Sequence, residues 1–208
     1  MNRVFKYIAI AFLGIFTIAC QKELSIDSLT GSGGGSANSV IGKWKFINID
    51  AKTESIVEAT DGIDIEKSIS FSNYVSTNNK GTITFDATKM NSSGLGYDVN
   101  TTVKAYLYLN GTLEDSLESP FSFSVPLSDG TATYKQISSD SLYFENGGFV
   151  YQGGGGSQSS QPGGARIKFE GNRLLMTSNS TQTKSETISG ITQKQTTKAT
   201  SVITLEKQ

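Results

Sequence analysis

The chain has no histidine and only one cysteine among its 208 residues, and its charges are nearly balanced at 18 basic against 19 acidic. Without histidine the commonest general base and metal ligand are missing. With one thiol, Cys20, there is no internal disulfide, no cysteine metal site and, once that thiol is otherwise engaged, no cysteine nucleophile. No clustered positive face arises of the kind phosphate backbones require, so nucleic acid is not an expected partner. Long hydrophobic runs are absent as well. The one apolar stretch, Tyr7 to Ile18, is preceded by Arg3 and Lys6 and closed by Ala19. It is too short to span a bilayer as a helix of about 20 residues but suits the core of a secretory signal, giving a signal peptide over 1–19.

Cys20 stands directly after that run. Thr17-Ile18-Ala19-Cys20 resembles the lipobox of bacterial lipoproteins, with Thr17 where leucine is usual. The resemblance implies that Cys20 becomes the first residue of the mature chain and carries acyl groups, so that the protein is anchored to a membrane without spanning it. Each buried methylene contributes about 0.8 kcal/mol and one chain anchors only marginally, so two or three chains would hold firmly. Loss of Arg3 and Lys6 leaves 16 basic against 19 acidic residues, a weakly acidic mature chain. Residues 20–38 then read as a lipidated tether, polar and small, with Gly31-Ser32-Gly33-Gly34-Gly35-Ser36 and no apolar periodicity. Roughly 18 flexible residues would separate anchor from domain by about 25 Å on average. Gln21-Lys22-Glu23 resembles in part the acidic surface-export signal of Bacteroidota lipoproteins, so the expected location is the cell envelope, at the outer membrane.

The remainder, 39–208, reads as one domain built almost wholly of β-strands. Phe121-Ser122-Phe123-Ser124-Val125-Pro126-Leu127 alternates, placing its apolar side chains on one face; Gly81 to Phe85 and Val103 to Leu109 repeat the pattern. Further strands are expected at 41–50, 69–75, 132–137, 142–144, 148–152, 166–170, 173–178, 183–189 and 197–206. Gly171-Asn172 is a two-residue hairpin signal, and Ser138 to Ser141 links two short strands in the same way. Consecutive pairing predicts an antiparallel up-and-down meander. Such a sheet removes its edges by closing into a barrel, while a β-sandwich buries the same pattern. Glu54 to Lys67 is the one stretch with a ragged helical face.

Val40-Ile41-Gly42-Lys43-Trp44 carries a Gly-x-Trp opening. With the strands, hairpins and final Val202-Ile203-Thr204-Leu205, it resembles the lipocalin-like lipoproteins of the Bacteroidota. That resemblance implies a barrel with Gly42 and Trp44 at its floor and a non-catalytic binding role. A small apolar or amphipathic ligand would then meet an interior lined from Trp44, Phe85, Leu107, Phe123 and Phe169. The alternative is a packed structural or adhesive surface domain without a cavity. Asp27-Ser28-Leu29, Asp115-Ser116-Leu117 and Asp140-Ser141-Leu142 resemble hydroxyl-glycosylation sites of exported Bacteroidota proteins, making Ser28, Ser116 and Ser141 candidate acceptors.

Other motifs carry less. Gly153 to Gly156 lacks the Lys-Ser/Thr pair of a phosphate loop and reads as a loop running to Gly164. Asp61-Gly62-Ile63-Asp64-Ile65-Glu66 lacks a calcium ligand ladder and reads as a turn. Asp86, Asp98 and Glu114 read as solvated acids on polar strand faces, not a hydrolytic pair. No catalytic residue, metal ligand or cofactor site is therefore assigned, and no protein partner is indicated.

Overall fold

A computed structural model describes residues 39–145 and 162–208. The expectations for the signal peptide, Cys20, Ser28, the tether and the 148–152 strand lie outside them. The described residues form strands β1 (Gly42–Thr60), β2 (Ile65–Val75), β3 (Thr77–Phe85), β4 (Lys89–Leu109), β5 (Thr112–Ser138), β6 (Ser141–Phe144), β7 (Gly163–Glu170), β8 (Arg173–Ile188) and β9 (Ile191–Lys207). All pairings are antiparallel within one nine-stranded sheet.

The sheet returns on itself. β2 and β3 follow one another along β1 on one side and β4 on the other, interrupted at Ser76. The meander then runs to β9, which pairs back onto β1 from Trp44↔Lys207 to Thr60↔Thr192. This barrel-like closure sets aside the sandwich, since one continuous sheet rather than two stacked ones encloses the core.

Among the described residues, ring closure involves only the lower half of the strands. β5 meets β6 from Tyr134 to Ser138, and β7 meets β8 from Arg166↔Thr177 to Glu170↔Arg173. Above those levels the described residues leave β5 bonded only to β4, and β8 only to β9. The upper strand halves thus form a six-stranded wing in the order β5-β4-β2-β1-β9-β8, rising from a closed base. The hydrophobic core lies in that base, around Phe46, Phe85, Tyr97, Met90, Leu174 and Leu205. In the wing, by contrast, both faces of β1 beyond Lys52 are half-exposed.

A belt of irregularities marks the change from base to wing. Register shifts occur at Phe46/Asn48, between Thr77 and Thr82, and between Ser92 and Tyr97. Bulges bend and twist the strands that carry them. Gly81 sits at φ 103°, and a Cβ there would meet Gly94 O and the Leu95 backbone at 2.7 Å, so the two strands approach closely only because it is glycine. Buried Ser76 joins β2 to β3 and ties them to β1: its amide donates to Ile49 O (2.9 Å) and its hydroxyl accepts from Ile49 N (2.8 Å).

Three expectations need correction. Glu54 to Lys67 is no helix; it is the end of β1, a turn and the start of β2, because long cross-strand pairing outweighs a weak helical pattern. Phe121–Leu127 and 132–137 are one strand of 27 residues, continuous through Gly130. The alternation from Phe121 also breaks: Val125 is buried while Leu127 is 62% exposed, past the register shift opposite Leu95 and Tyr97.

Candidate functional site

Trp44 lies at the lower end of the base, 2% exposed, donating from Nε1 to Val40 O at 2.7 Å. Phe169 packs beside it at 6.3 Å, and Lys207 Nζ sits 4.4 Å from the ring centre. A favourable cation–π contact therefore covers the indole. Gly42, at φ 131°, opens β1 there, where a Cβ would lie 2.6 Å from Lys207 Nζ. Gly42, Trp44 and Phe169 thus share the closed end.

The candidate ligand-lining residues do not come together. Phe85 is 1% exposed and packs edge-on against Tyr134 at 5.5 Å, inside the base. The Tyr134 hydroxyl donates to Asp86 O at 2.6 Å, and burial pushes its pKa up. Phe169 stands with Trp44. Half-buried Phe123 lies at the top of the core, in edge contact with Tyr74 (6.1 Å) and tilted against Phe121 (5.6 Å). Leu107 is higher still, opposite Asp115 and Ser68 in the wing. Phe85 and Phe169 therefore belong to the packed base, Phe123 to the top of its core and Leu107 to the wing.

The wing has two unlike faces. Residues directly opposite in a sheet share a face, and faces alternate along each strand. The inner face, continuous with the base interior, carries the row Leu117–Ala105–Ser70–Ser55–Thr197–Gln182. One residue away, the outer face carries Glu118–Lys104–Phe71–Glu54–Lys198–Thr181. Cross-strand ion pairs stud that outer row: Lys104 to Glu118 at 2.7 Å and Lys198 to Glu54 at 3.2 Å. Glu118 accordingly raises the Lys104 pKa. The inner row bears no charge, and Phe121, Tyr74 and Phe123 stand at its foot. Charges enter the inner face only towards the tip, as Asp115 and Lys184 at the margins of the next row.

Sequence reasoning found Leu107 and Phe123 but passed over Ser55, Ser70, Ala105 and Thr197. In β2 it would put Ile69 and Phe71 inward. The structure puts them outward, with Ser68, Ser70 and Ser72 inward, since Ser70 lies opposite Ala105 and Ser55. The available signal was Ser68, Ser70 and Ser72 alternating with Ile69 and Phe71, a strand whose polar face is uniformly small and uncharged.

Among the remaining candidates, Ser116 is exposed on β5, and half-buried Ser141 holds its hydroxyl 2.6 Å from that of Ser138. The three solvated acids occupy three heights. Asp86 caps the turn into β4, accepting from the Thr88 and Lys89 amides, which lower its pKa. Asp98 accepts from Asn78 Nδ2 at 2.6 Å, and Glu114 is exposed near the tip. At the tip, Asn110 Nδ2 donates to Asp64 (2.8 Å) and its Oδ1 accepts from Ile65 N (2.9 Å), tying two hairpins together. Burial, with Asp64 and Asp61 nearby, raises the Glu66 pKa there.

Comparison of the chain with protein-family models, with curated proteins and with solved structures finds no match.

Proposed function

We propose that this protein is a lipid-anchored, non-catalytic binding module of the cell envelope, in which the packed base is a pedestal and the inner face of the wing holds a small uncharged or amphipathic ligand. One observation carries the reading: the inner row from Leu117 to Gln182 has no charge, while the outer row beside it carries four charged residues in two ion pairs. A sheet that presents paired charges to water on one side and, below the tip, uncharged hydroxyl, amide, methyl and aromatic groups on the other has one side suited to a neutral partner. Phe121, Phe123 and Tyr74 would supply apolar contact at the foot, and Ser55, Ser70 and Thr197 hydrogen-bonding groups above. Membrane attachment through Cys20 and its tether belongs to the same proposal and rests on the lipobox-like residues.

A specific observation favours a second reading, a structural or adhesive surface domain: Phe85, one of the expected ligand contacts, is already packed against Tyr134. One titration separates the two. A neutral amphipathic fluorescent probe is added to the wild type, to Ser70→Lys, which puts a charge in the inner row, and to Ile69→Lys, which puts the same charge on the outer face. Saturable binding that Ser70→Lys weakens roughly tenfold or more, with Ile69→Lys unaffected and both variants folded by circular dichroism, supports the binding module. Absence of saturable binding to the wild type, or equal loss in both variants, returns the domain to the structural reading.

A further inference from the structure

The wing ends in two strand edges that differ in chemistry. On β5 the edge is interrupted by proline. Leu109 and Thr112 flank the two-residue turn Asn110-Gly111, whose φ values of 49° and 84° make it a primed turn with a hydrogen-bonded flanking pair. Counting down β4 from Leu109, every second residue addresses β5, and Thr102 does not. Pro120, opposite Thr102, therefore turns its nitrogen to the free side, where a pairing strand would find no donor. Proline on an edge is a recognised block to further pairing.

β8 has no such block. Its turn, Ser189-Gly190, has φ values of 53° and 82°, and Ile188↔Ile191 is the hydrogen-bonded flanking pair. Alternation then directs the amides and carbonyls of Thr181, Thr183, Ser185 and Thr187 away from β9, towards the edge. None is proline, and three are β-branched. Among the described residues no strand pairs with this stretch on that side.

We propose that this edge pairs with the same edge of a second copy, antiparallel about a two-fold axis through Ser185. Hydrogen bonding requires outward-directed residues to face one another, and every antiparallel register with its axis on a residue of this stretch meets that requirement. Of those registers, only the one centred on Ser185 sets Lys184 against Glu186 of the second copy, and by symmetry does so twice. Within one copy these side chains already approach to 3.5 Å and both are about half exposed, so they reach across the edge without refolding. The same register opposes Thr183 to Thr187, extending the hydroxyl contacts that those residues make with Thr196 (3.3 Å) and Thr192 (3.0 Å) in β9. The axis is perpendicular to the sheet, so the two inner faces lie on one side as a continuous surface, and the two bases stand at opposite ends of an elongated dimer.

Sedimentation velocity on the full chain in detergent solution, across a wide concentration range, tests this. The wild type is expected to form a concentration-dependent, elongated dimer. Lys184→Glu and Glu186→Lys each weaken it roughly tenfold, because each sets two like charges opposite one another. An equimolar mixture of these two variants regains dimer, since the heterodimer opposes unlike charges again. Ser185→Pro abolishes the dimer and leaves the fold intact, because the lost amide is not bonded to β9. A wild type that stays monomeric throughout, a dimer that survives Ser185→Pro, or a charge-variant mixture that regains nothing overturns the proposal.

Discussion

Phe85 and Phe123 occupy comparable places in alternating strands yet have different surroundings, and that difference sets what their truncation costs. Phe85→Ala empties a site enclosed by Tyr134 and the base, and is expected to destabilise by roughly 3–5 kcal/mol in chemical denaturation. Phe123→Ala, at the half-buried top of the core, is expected to cost about half as much. Equal costs would mean that the core extends further into the wing than described. Gly81→Ala meets backbone atoms at 2.7 Å with φ at 103°, so a loss of roughly 1–3 kcal/mol is expected. Gly94→Ala, where a Cβ would meet nothing within 4 Å, is expected to cost less despite its φ of 58°. For the proposed anchor, Cys20→Ser should move the protein from the membrane fraction to the soluble one and remove the mass of the acyl groups. Unchanged fractionation would refute lipidation.

At the scale of elements, base and wing share strands but not a core. Hydrophobic packing and side-to-side hydrogen bonding stabilise the base, whereas the wing relies on cross-strand pairs exposed on both faces. Local opening follows buried contact density. Amide hydrogen exchange is therefore expected to be faster in β2, in β5 above Phe123 and in β8 above Ser178 than at Phe46, Phe85 or Leu205. Uniform protection along β1 from Trp44 to Thr60 would contradict this. The tip also carries a pH dependence. Burial and the neighbouring Asp64 and Asp61 raise the Glu66 pKa, so the folded state favours the protonated carboxyl. Its ionisation carries no penalty below the ordinary glutamate range, and the penalty develops as pH rises through the raised value. Glu66→Gln should thus raise thermal stability slightly at neutral pH and have no effect in acid. A gain that persists in acid would show that the carboxylate charge is not its origin.

For the whole molecule, the paired charges on the outer row and their absence from the inner one give the wing a wet side and a side open to neutral chemistry. In the closed base, two of the side chains expected to line an enclosed space already meet other aromatic rings, Phe85 against Tyr134 and Phe169 against Trp44. If binding occurs on the wing, its affinity should respond to charges placed at Ser55 or Ser70 and remain insensitive to salt, because no ion pair contributes. A steep salt dependence of probe binding would locate the site elsewhere.

Much of the architecture could be read directly from the chain. Alternation at Gly81–Phe85 and in the strands around Gly171-Asn172 identified strands and a hairpin because both are local, determined by side-chain period and turn geometry. An antiparallel meander followed from consecutive hairpins. Local patterns do not carry the length of a strand, and so the 27 residues of β5 looked like two pieces: Ser128 to Gly130 is polar and glycine-containing, and only pairing with β4 holds it extended. Nor could they reveal that, among the described residues, β6 and β7 pair only with the lower parts of β5 and β8, because closure depends on how far neighbours extend. Which face of β2 turns inward was decided the same way. Ile69 and Phe71 would be buried in a closed barrel, but in a wing without a core the register fixed by β1 and β4 outweighs their preference, and they face water.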